Sequence, residues 1–359
     1  MGKRSVIPFG PQHPVLPEPI HLDLVIEDEK VIEAVPSIGF VHRGLESLVD
    51  KKDFHEMTYV VERTCGICSF MHGMGYCESV EHIMKVEVPD RGRYLRTIWA
   101  EMSRMHSHLL WLGLLADAFG FESLFYECWR MREKILDLFE MTTGGRCIFS
   151  VNKIGGVLKD IDDEMMKLIL EVMTDMEKGL TVIRKTFLFD YTVEYRLRDI
   201  GVLTKQQAHD LGCAGPFGRA SGINMDMRLR GYAAYPDIDF EPITSEIGDS
   251  FARCDVRINE IFQSIDIIRQ CAAKMPKGEI GIDVKGNPDG EYFMRVEQPR
   301  GEAVYYVKAN GTKILDRMRV RTPTFANLPG LLETLKGADL ADVPLLVLTI
   351  DPCISCTER

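Results

Sequence analysis

The sequence has no apolar segment long enough to cross a membrane. The longest candidate, around Leu109 to Phe121, contains Asp117, whereas a transmembrane helix needs about 18 or more apolar residues in a row. The start, Met1-Gly-Lys-Arg-Ser-Val, also lacks the apolar core of a signal peptide. These absences predict a cytoplasmic protein without a transmembrane segment of its own, which would reach a membrane only through partner subunits.

Basic residues are too few for a nucleic-acid-binding protein. Lysine and arginine total 43 against 54 aspartates and glutamates, which gives a net charge of −11, and no basic stripe stands out. No repeat, low-complexity segment or convincing linker interrupts the 359 residues. We therefore expect no nucleic-acid partner, and one interlocked domain over residues 1–359.

Hydrophobic periodicity predicts a mostly α-helical α+β fold. Apolar residues at spacings of three and four predict long helices at about 91–118, 122–141, 160–187 (capped by Asp160) and 245–274. Four such helices imply a central bundle within residues 91–275. Small peripheral β-sheets are expected before and after the bundle. Within residues 1–60 we expect a hairpin formed by His21–Glu27 and residues 31–35. Within residues 290–359 we expect two short strands in 292–307 that flank Gln298-Pro-Arg-Gly, with residues 312–320 beside them.

Ten cysteines are present, and four of them form Cys-x-x-Cys pairs near opposite ends of the chain: Cys65 with Cys68, and Cys353 with Cys356. In a cytoplasmic protein such pairs are better metal ligands than disulfides. A zinc ribbon would keep its pairs about 15–20 residues apart, so here the fold itself must bring the pairs together. Thiolates select zinc, iron–sulfur clusters, copper(I) or nickel, and pair spacing alone leaves a structural zinc open. The other six are expected to be buried packing residues: Cys77, Cys128, Cys147, Cys213, Cys254 and Cys271.

The residues around the two pairs are more specific than the spacing. Arg63-Thr-Cys-Gly-Ile-Cys-Ser-Phe-Met-His72 and Asp351-Pro-Cys-Ile-Ser-Cys-Thr-Glu-Arg359 resemble the two signatures of the nickel–iron hydrogenase large subunit. Other segments are similar to that family and to the related 49-kilodalton subunit of respiratory complex I: Gly10-Pro-Gln-His-Pro14, Arg43-Gly-Leu-Glu46, Ser107-His108, Gly215-Pro-Phe-Gly-Arg-Ala-Ser-Gly222, Pro299-Arg-Gly301 and Thr322-Pro-Thr-Phe-Ala-Asn327. The short length and the complex-I-like segments favour the energy-converting, membrane-associated branch, and a large-subunit-like fold.

The resemblance implies a nickel–iron centre held by the four cysteines. In the family the first cysteine of each pair binds nickel terminally and the second bridges nickel and iron. Cys65 and Cys353 would therefore be terminal, and Cys68 and Cys356 bridging. The iron carries carbon monoxide and cyanide ligands made by dedicated maturation proteins. Hydrogen is split beside a base, for which Cys353 is the candidate, and no iron–sulfur cluster motif is visible elsewhere in this chain.

The resemblance also implies roles for residues around the centre. Arg300, after Pro299, would place its guanidinium near the open metal position and a cyanide. Thr324 would donate a hydrogen bond to a cyanide, and His72 would donate one near the bridging sulfurs. Asp117, an ordinary surface acid by its position, would by resemblance lie near the arginine. His106 and His108 are expected to be satisfied core histidines rather than ligands.

Two glutamates of the N-terminal region complete the predicted site. The family moves protons through a glutamate close to a terminal cysteine, and Glu18 is the best-placed candidate because flanking prolines hold it rigidly. Glu46 corresponds to a position that helps to bind a structural magnesium with a C-terminal histidine in larger enzymes. Arg359 stands in place of that histidine and cannot ligate a metal. A magnesium ion is therefore doubtful, and we expect a Glu46–Arg359 ion pair instead.

The resemblance thus implies the catalytic subunit of a hydrogenase that reversibly forms H₂, linked to ferredoxin and to ion translocation at the cytoplasmic face of the membrane. By resemblance its partners are a small subunit with a proximal 4Fe-4S cluster, a ferredoxin-like electron-transfer subunit and membrane ion-translocating subunits. One alternative is a quinone- or cofactor-linked subunit of a complex-I-like dehydrogenase, but such relatives have lost the four cysteines. Another is a scaffold with structural zinc, which would not require the Pro299-Arg-Gly segment.

Overall fold

The computed structural model describes residues 4–359 and shows a mostly helical fold with small antiparallel sheets, as predicted. The α-helices are α1 Met57–Glu62, α2 Ser69–Met84, α3 Asp90–Ala118, α4 Glu122–Thr143, α5 Asp163–Phe189, α6 Tyr191–Leu197, α7 Lys205–Asp210, α8 Gly215–Arg219, α9 Ser250–Lys274, α10 Pro323–Leu335, α11 Val343–Thr349 and α12 Ile354–Glu358. The strands are β1 Ser5–Phe9, β2 His21–Glu27, β3 Lys30–Ser37, β4 Asn152–Lys153, β5 Gly156–Val157, β6 Asp289–Gln298, β7 Gly301–Asn310 and β8 Arg317–Arg321. No helix in the described part is both long and apolar enough to cross a membrane.

Four long helices, α3, α4, α5 and α9, form the predicted bundle. Helix α3 packs against α4 and α9, and α5 packs against the same two helices, so the four enclose one apolar core. Helix α3 is the innermost, because side chains along its length, such as Trp99, Met105 and Leu112, are fully buried. Helices α2 and α11, which neighbour the two cysteine pairs, both pack against α3 of this bundle.

Two of the four bundle helices, α5 and α9, begin where an aspartate side chain caps them. Asp162 accepts a hydrogen bond from a backbone N–H in the first turn of α5, and Asp249 does the same for α9. The predicted cap at Asp160 is therefore wrong, since the Asp160 carboxylate pairs with Arg91, 2.8 Å away. The predicted start of α9 near residue 245 was likewise several residues too early.

Two three-stranded antiparallel sheets flank the bundle, in the orders β1-β2-β3 and β6-β7-β8. The predicted N-terminal hairpin is confirmed as β2 and β3, and β1 was not anticipated. The C-terminal strands are longer than predicted, with ten residues each in β6 and β7. Gln298 pairs with Gly301, so Pro299 and Arg300 form the two-residue tip of this hairpin.

A second apolar core joins the two ends of the chain. Phe9 and Leu22 of the N-terminal sheet pack in one buried cluster with Leu331 of α10, Val347 of α11 and Ile354 of α12. The segment that carries the last two cysteines is therefore anchored on the N-terminal sheet.

Candidate metal centre

The two cysteine pairs meet in the interior of the protein, as the sequence predicts. Cys65 lies between α1 and α2, Cys68 directly precedes α2, Cys353 directly precedes α12, and Cys356 lies within α12. The Sγ atoms of Cys65 and Cys353 are 3.4 Å apart, as are those of Cys68 and Cys356. All four residues are at most 3% exposed. Each close pair joins the first part of the chain to the last.

The sulfurs of Cys65, Cys68 and Cys356 lie within 4.8 Å of one another, close enough to act as ligands of one metal ion, and Cys353 lies beside Cys65. Burial raises the pKa of Cys356 well above its usual value, whereas at Cys68 hydrogen bonds with the other thiols outweigh burial and lower the pKa. A bound cation would change this balance, because its charge deprotonates the thiols that coordinate it. The backbone N–H groups of Ile67 and Cys68, each 3.3 Å from Cys65 Sγ, already donate to one sulfur. Four soft donors in a dry pocket fit a nickel–iron centre, and they also fit zinc.

Arg300 is buried at the tip of the β6–β7 hairpin, directly after Pro299 and beside the sulfurs. Its Nη2 lies 2.8 Å from Asp351 Oδ1, its Nε donates to the Asp351 carbonyl oxygen at 3.0 Å, and its Nη1 donates to Ser107 Oγ at 3.3 Å. Although burial opposes the charge, the negative charge of Asp351 and of the cysteine sulfurs holds the pKa of Arg300 well above its usual value. Arg300 is thus a fixed cation beside the candidate metal position.

Asp117 does not take part in this arrangement. It is exposed at the C-terminal end of α3, about 15 Å along the helix from Ser107 by helical rise. The acid that pairs with Arg300 is Asp351, so the expectation drawn for Asp117 from the family is corrected. In the sequence, Asp351 stands out only as part of the second cysteine signature. Its place next to the Pro352–Cys353 segment was the signal that could have identified it.

A direct backbone contact holds the tip of the hairpin that carries Arg300. A Cβ atom at Gly215 would lie 2.3 Å from Gly301 Cα and 2.4 Å from the Arg300 carbonyl oxygen. No residue larger than glycine fits at this approach. The Gly215-Pro-Phe-Gly and Pro299-Arg-Gly segments are therefore parts of one structural unit, which positions the guanidinium.

A cavity of about 360 Å³ lies beside Cys65, Cys353 and Arg300. Most of its wall is apolar, and the apolar residues are Pro17, Ile67, Leu110, Trp111, Leu114, Trp129, Leu348 and Pro352. Among residues 4–359, the charged side chains that line the cavity are Glu18, Arg300 and Asp351. Such a wall suits a small uncharged reactant next to a charged site.

Glu18 and Thr324 both hold the segment of Cys353 through hydrogen bonds to its backbone. The Glu18 carboxylate accepts hydrogen bonds from the backbone N–H of Ile354, from the Ser355 hydroxyl, and from the Ser355 N–H at 2.9 Å. Thr324 is buried, and its Oγ1 accepts from the Cys353 N–H at 3.1 Å, so its hydroxyl proton is available for another acceptor.

His72 is joined to the cysteines on one side and to the sheet on the other. Its Nε2 lies 3.3 Å from Cys356 Sγ, and its Nδ1 lies 2.7 Å from the Tyr305 hydroxyl. Gln298 Nε2 in turn donates to that hydroxyl at 3.0 Å. The prediction for His72 is supported by this contact, whereas Tyr305 and Gln298 were missed.

Arg43 connects the two cysteine segments, a role that the sequence analysis did not assign. Its guanidinium donates to the carbonyl oxygens of Arg63 at 2.8 Å and Thr64 at 2.7 Å, just before the first cysteine pair. It also donates to the Ser355 carbonyl oxygen at 3.4 Å, between the cysteines of the second pair. The charge of Arg43 therefore ties both segments together from the outside.

Glu46 forms the expected ion pair with Arg359. Arg359 Nε lies 2.6 Å from Glu46 Oε1, and the carboxylate also accepts from the Val320 N–H at 2.9 Å and lies 3.2 Å from Arg319 Nη1. Glu46 therefore links the C-terminal residue Arg359 to strand β8, because its carboxylate contacts both.

The remaining cysteines and histidines have no bond to the four sulfurs, and one cysteine corrects the sequence analysis. Cys147 is exposed and not a buried packing residue, whereas the other five are buried as predicted.

His108 Nε2 pairs with Glu260 at 2.8 Å, and burial lowers the pKa of His108 to about 4. His106 Nδ1 accepts from Arg132 Nε at 3.1 Å. Both are core histidines held by charged side chains, although His108 Nδ1 has no hydrogen-bond partner among the described residues.

The chain is similar to proteins of two related kinds. The family model for the 49 Kd subunit of respiratory-chain NADH dehydrogenase matches residues 118–287 and 283–359, and the model for nickel-dependent hydrogenases matches residues 43–117. The chain is 38% identical to membrane-bound hydrogenase subunit alpha of Pyrococcus furiosus, over 98% of this chain and 87% of that protein. It is 38% identical to the carbon monoxide-induced hydrogenase of Rhodospirillum rubrum, over 98% and 99%. It is 33% identical to an NADH-quinone oxidoreductase subunit of Chloroherpeton thalassium, over 100% and 88%.

Proposed function

This chain belongs to the family that unites nickel-dependent hydrogenases with the 49 kDa subunit of respiratory NADH dehydrogenase, and from that membership we propose that it is the catalytic subunit of an energy-converting nickel–iron hydrogenase. The reaction is the reversible formation of H₂ from two protons and two electrons. The observation that carries the proposal is the meeting of four cysteine sulfurs, drawn from both ends of the chain, beside a buried arginine.

The four cysteines would hold the metals, with Cys65 and Cys353 on nickel and Cys68 and Cys356 between nickel and iron. When bound, the nickel–iron centre, with carbon monoxide and cyanide on iron, supplies the redox chemistry that cleaves or forms the H–H bond. The chain itself supplies fixed charge, hydrogen bonds and a proton acceptor.

Arg300 contributes a positive charge that needs no reorganisation during the reaction. Asp351 and Ser107 hold its guanidinium from two sides, and the β6–β7 hairpin fixes its backbone. Such a preorganised cation stabilises negative charge that develops nearby. The free hydroxyl proton of Thr324 supports the expected hydrogen bond to a cyanide.

Cys353 and Glu18 would move the proton away from the centre. Glu18 holds the segment directly after Cys353 and lines the same cavity. A carboxylate that lines the same cavity as the sulfur would receive its proton. The apolar wall of the cavity admits uncharged H₂, which needs no polar group for binding.

A second candidate function comes from the relatives, which include NADH-quinone oxidoreductase subunits. A quinone-linked subunit would have no use for four convergent thiols in a buried pocket. The thiols favour the hydrogenase, in line with the relatives named as hydrogenases.

The partners follow from the same proposal. A small subunit with a proximal 4Fe-4S cluster would deliver electrons, fed by a ferredoxin-like subunit, and membrane subunits would translocate ions. The chain would then sit on the cytoplasmic face of the membrane as a peripheral subunit.

The experiment is a measurement of nickel and iron in the purified complex, together with its infrared spectrum in the carbonyl and cyanide region. We expect one nickel per chain and bands that disappear in Cys353→Ser. Cys147→Ser is the matched control, because Cys147 is exposed and outside the cluster, and its bands should be unchanged. Zinc in place of nickel, without such bands in the mature complex, would refute the proposal.

A further inference from the structure

Three buried polar side chains form a hydrogen-bonded series that ends at a cysteine sulfur. Gln298 Nε2 donates to the Tyr305 hydroxyl oxygen at 3.0 Å, that hydroxyl is 2.7 Å from His72 Nδ1, and His72 Nε2 is 3.3 Å from Cys356 Sγ. Gln298, Tyr305 and His72 are each 0% exposed. Because water does not reach these side chains, the donors and acceptors of the three residues determine the direction of each hydrogen bond.

The phenol fixes which nitrogen of His72 carries the proton. Because the Gln298 amide already donates to the phenol oxygen, the single phenol proton is free to point at His72 Nδ1. Burial and the negative charge of the nearby sulfurs raise the pKa of Tyr305 well above its usual value, so the phenol keeps this proton. With Nδ1 as the acceptor, the proton of a neutral imidazole lies on Nε2, which faces Cys356.

The opposite tautomer fails once a metal is present. It would place the Nε2 lone pair against the sulfur of Cys356 at 3.3 Å. A metal-bound thiolate has no proton to donate, so this contact would be repulsive.

The fold leaves a space that matches the tyrosine ring. Gly75 lies one helical turn after His72 in α2, and a Cβ there would come within 2.4 Å of Tyr305 Cε2. The Tyr305 ring meets the imidazole edge-on, with 81° between the ring planes. Helix α2 and strand β7 are thus shaped to bring this phenol to this histidine.

We infer that Tyr305 is a positioning residue, which holds His72 in the tautomer that donates a hydrogen bond to the sulfur of Cys356. The inference rests on the proposed function, because it needs the sulfur to be a metal-bound thiolate. The expected consequence is electronic: the hydrogen bond would withdraw electron density from a sulfur that, in the proposed centre, would be a ligand of both metals, as outer hydrogen bonds do at other metal sites.

The test is Tyr305→Phe in the assembled complex, which removes one oxygen atom and keeps the ring. We expect the carbonyl band to move to lower wavenumber, since a more electron-rich sulfur increases back-donation from iron. We also expect H₂-dependent activity to fall about tenfold. Tyr306→Phe is the matched control, because the Tyr306 hydroxyl bonds to Glu291 at the surface, and its bands should not move.

A double-variant comparison separates positioning from general packing. His72→Gln supplies an amide donor that has no tautomers, so adding Tyr305→Phe to it should move the bands no further. Gln298→Met, which removes the amide that orients the phenol, should shift the carbonyl band in the same direction by a smaller amount. If the bands of Tyr305→Phe and Gln298→Met stay at the wild-type positions, the inference is wrong. It is also wrong if Tyr305→Phe shifts the bands by the full amount in the His72→Gln background. Either result would leave the proposed function intact. A wild-type complex without any such bands would overturn the proposed function, and the inference with it.

Discussion

Replacing Glu62 by glutamine should stabilise the protein more at pH 8 than at pH 5. Glu62 lies in α1, its side chain is 1% exposed, and neither carboxylate oxygen has a hydrogen-bond donor among the described residues. Arg63 Nη1 is 3.7 Å away and its side chain is half exposed. Burial therefore raises the pKa of Glu62 to about 7, and the charge of Arg63 opposes this shift only in part.

The sign follows from proton linkage. A carboxyl whose pKa rises from 4.5 in the unfolded chain to about 7 in the fold binds its proton more tightly when folded. Its burial costs little below pH 4.5, and the cost grows as the pH rises to 7. By pH 8 it amounts to about 3 kcal/mol, against about 1 kcal/mol at pH 5.

Glutamine is a neutral isostere and does not carry this cost. With an unfolding entropy of about 0.75 kcal/mol/K for a chain of this size, the Tm of Glu62→Gln should exceed that of the wild type by about 4 °C at pH 8 and about 1 °C at pH 5. Thermal unfolding followed by circular dichroism at the two pH values measures this difference. Glu56→Gln, at an exposed position just before α1, should change the Tm by less than about 1 °C at either pH.

A Glu62→Gln variant that is less stable than the wild type at pH 8 would contradict the reasoning. It would mean that the ionised carboxylate makes a net favourable interaction, with Arg63 as the candidate partner.

Three further predictions concern the site and its supports. Gly75→Ala should lower the free energy of unfolding by about 1–3 kcal/mol, although alanine has the better helix propensity, because the new Cβ overlaps Tyr305. An unchanged Tm would show that the tyrosine ring can move aside. Glu18→Gln should keep its nickel and iron yet lose proton exchange about 10²-fold or more, measured with D₂ in water, and unchanged exchange would exclude Glu18 from the proton route. Glu46→Gln should cost about 1 kcal/mol at low salt and less at high salt, because its pair with Arg359 is only partly buried. A loss that does not depend on salt would point to packing instead of charge.

The long helices and the cysteine pairs could be predicted from the sequence, because each depends on a pattern of residues that are close together in the chain. The apolar pattern of α3, with its spacings of three and four, indicates a helix whatever surrounds it, and each Cys-x-x-Cys pair indicates a shared ligand. The N-cap of α5 was placed at Asp160 in place of Asp162, since both aspartates precede the apolar pattern and only the fold decides which one caps the helix.

The residues that position the site, such as Tyr305, Asp351 and Arg43, could not be predicted in the same way, because their roles depend on contacts between segments that are distant in the sequence. Tyr305 and Tyr306 are neighbours in β7, so their side chains point to opposite faces of the sheet, and only the packing of the sheet decides which one meets His72 and which one reaches the surface. Asp351 and Asp117 are likewise both acids near apolar segments, yet Arg300 meets Asp351. Arg43 donates to backbone carbonyl oxygens, and because every residue has one, the sequence does not show which of them Arg43 will contact.

The most direct test of hydrogen activation is isotope exchange between D₂ and water by the purified mature complex, which requires no electron-transfer partner. The proposed function predicts release of HD and H₂ by the wild type and by Cys147→Ser, and none by Cys353→Ser. A complex that contains its full nickel and iron but forms no HD would contradict the central claim that these four cysteines hold a hydrogen-activating centre.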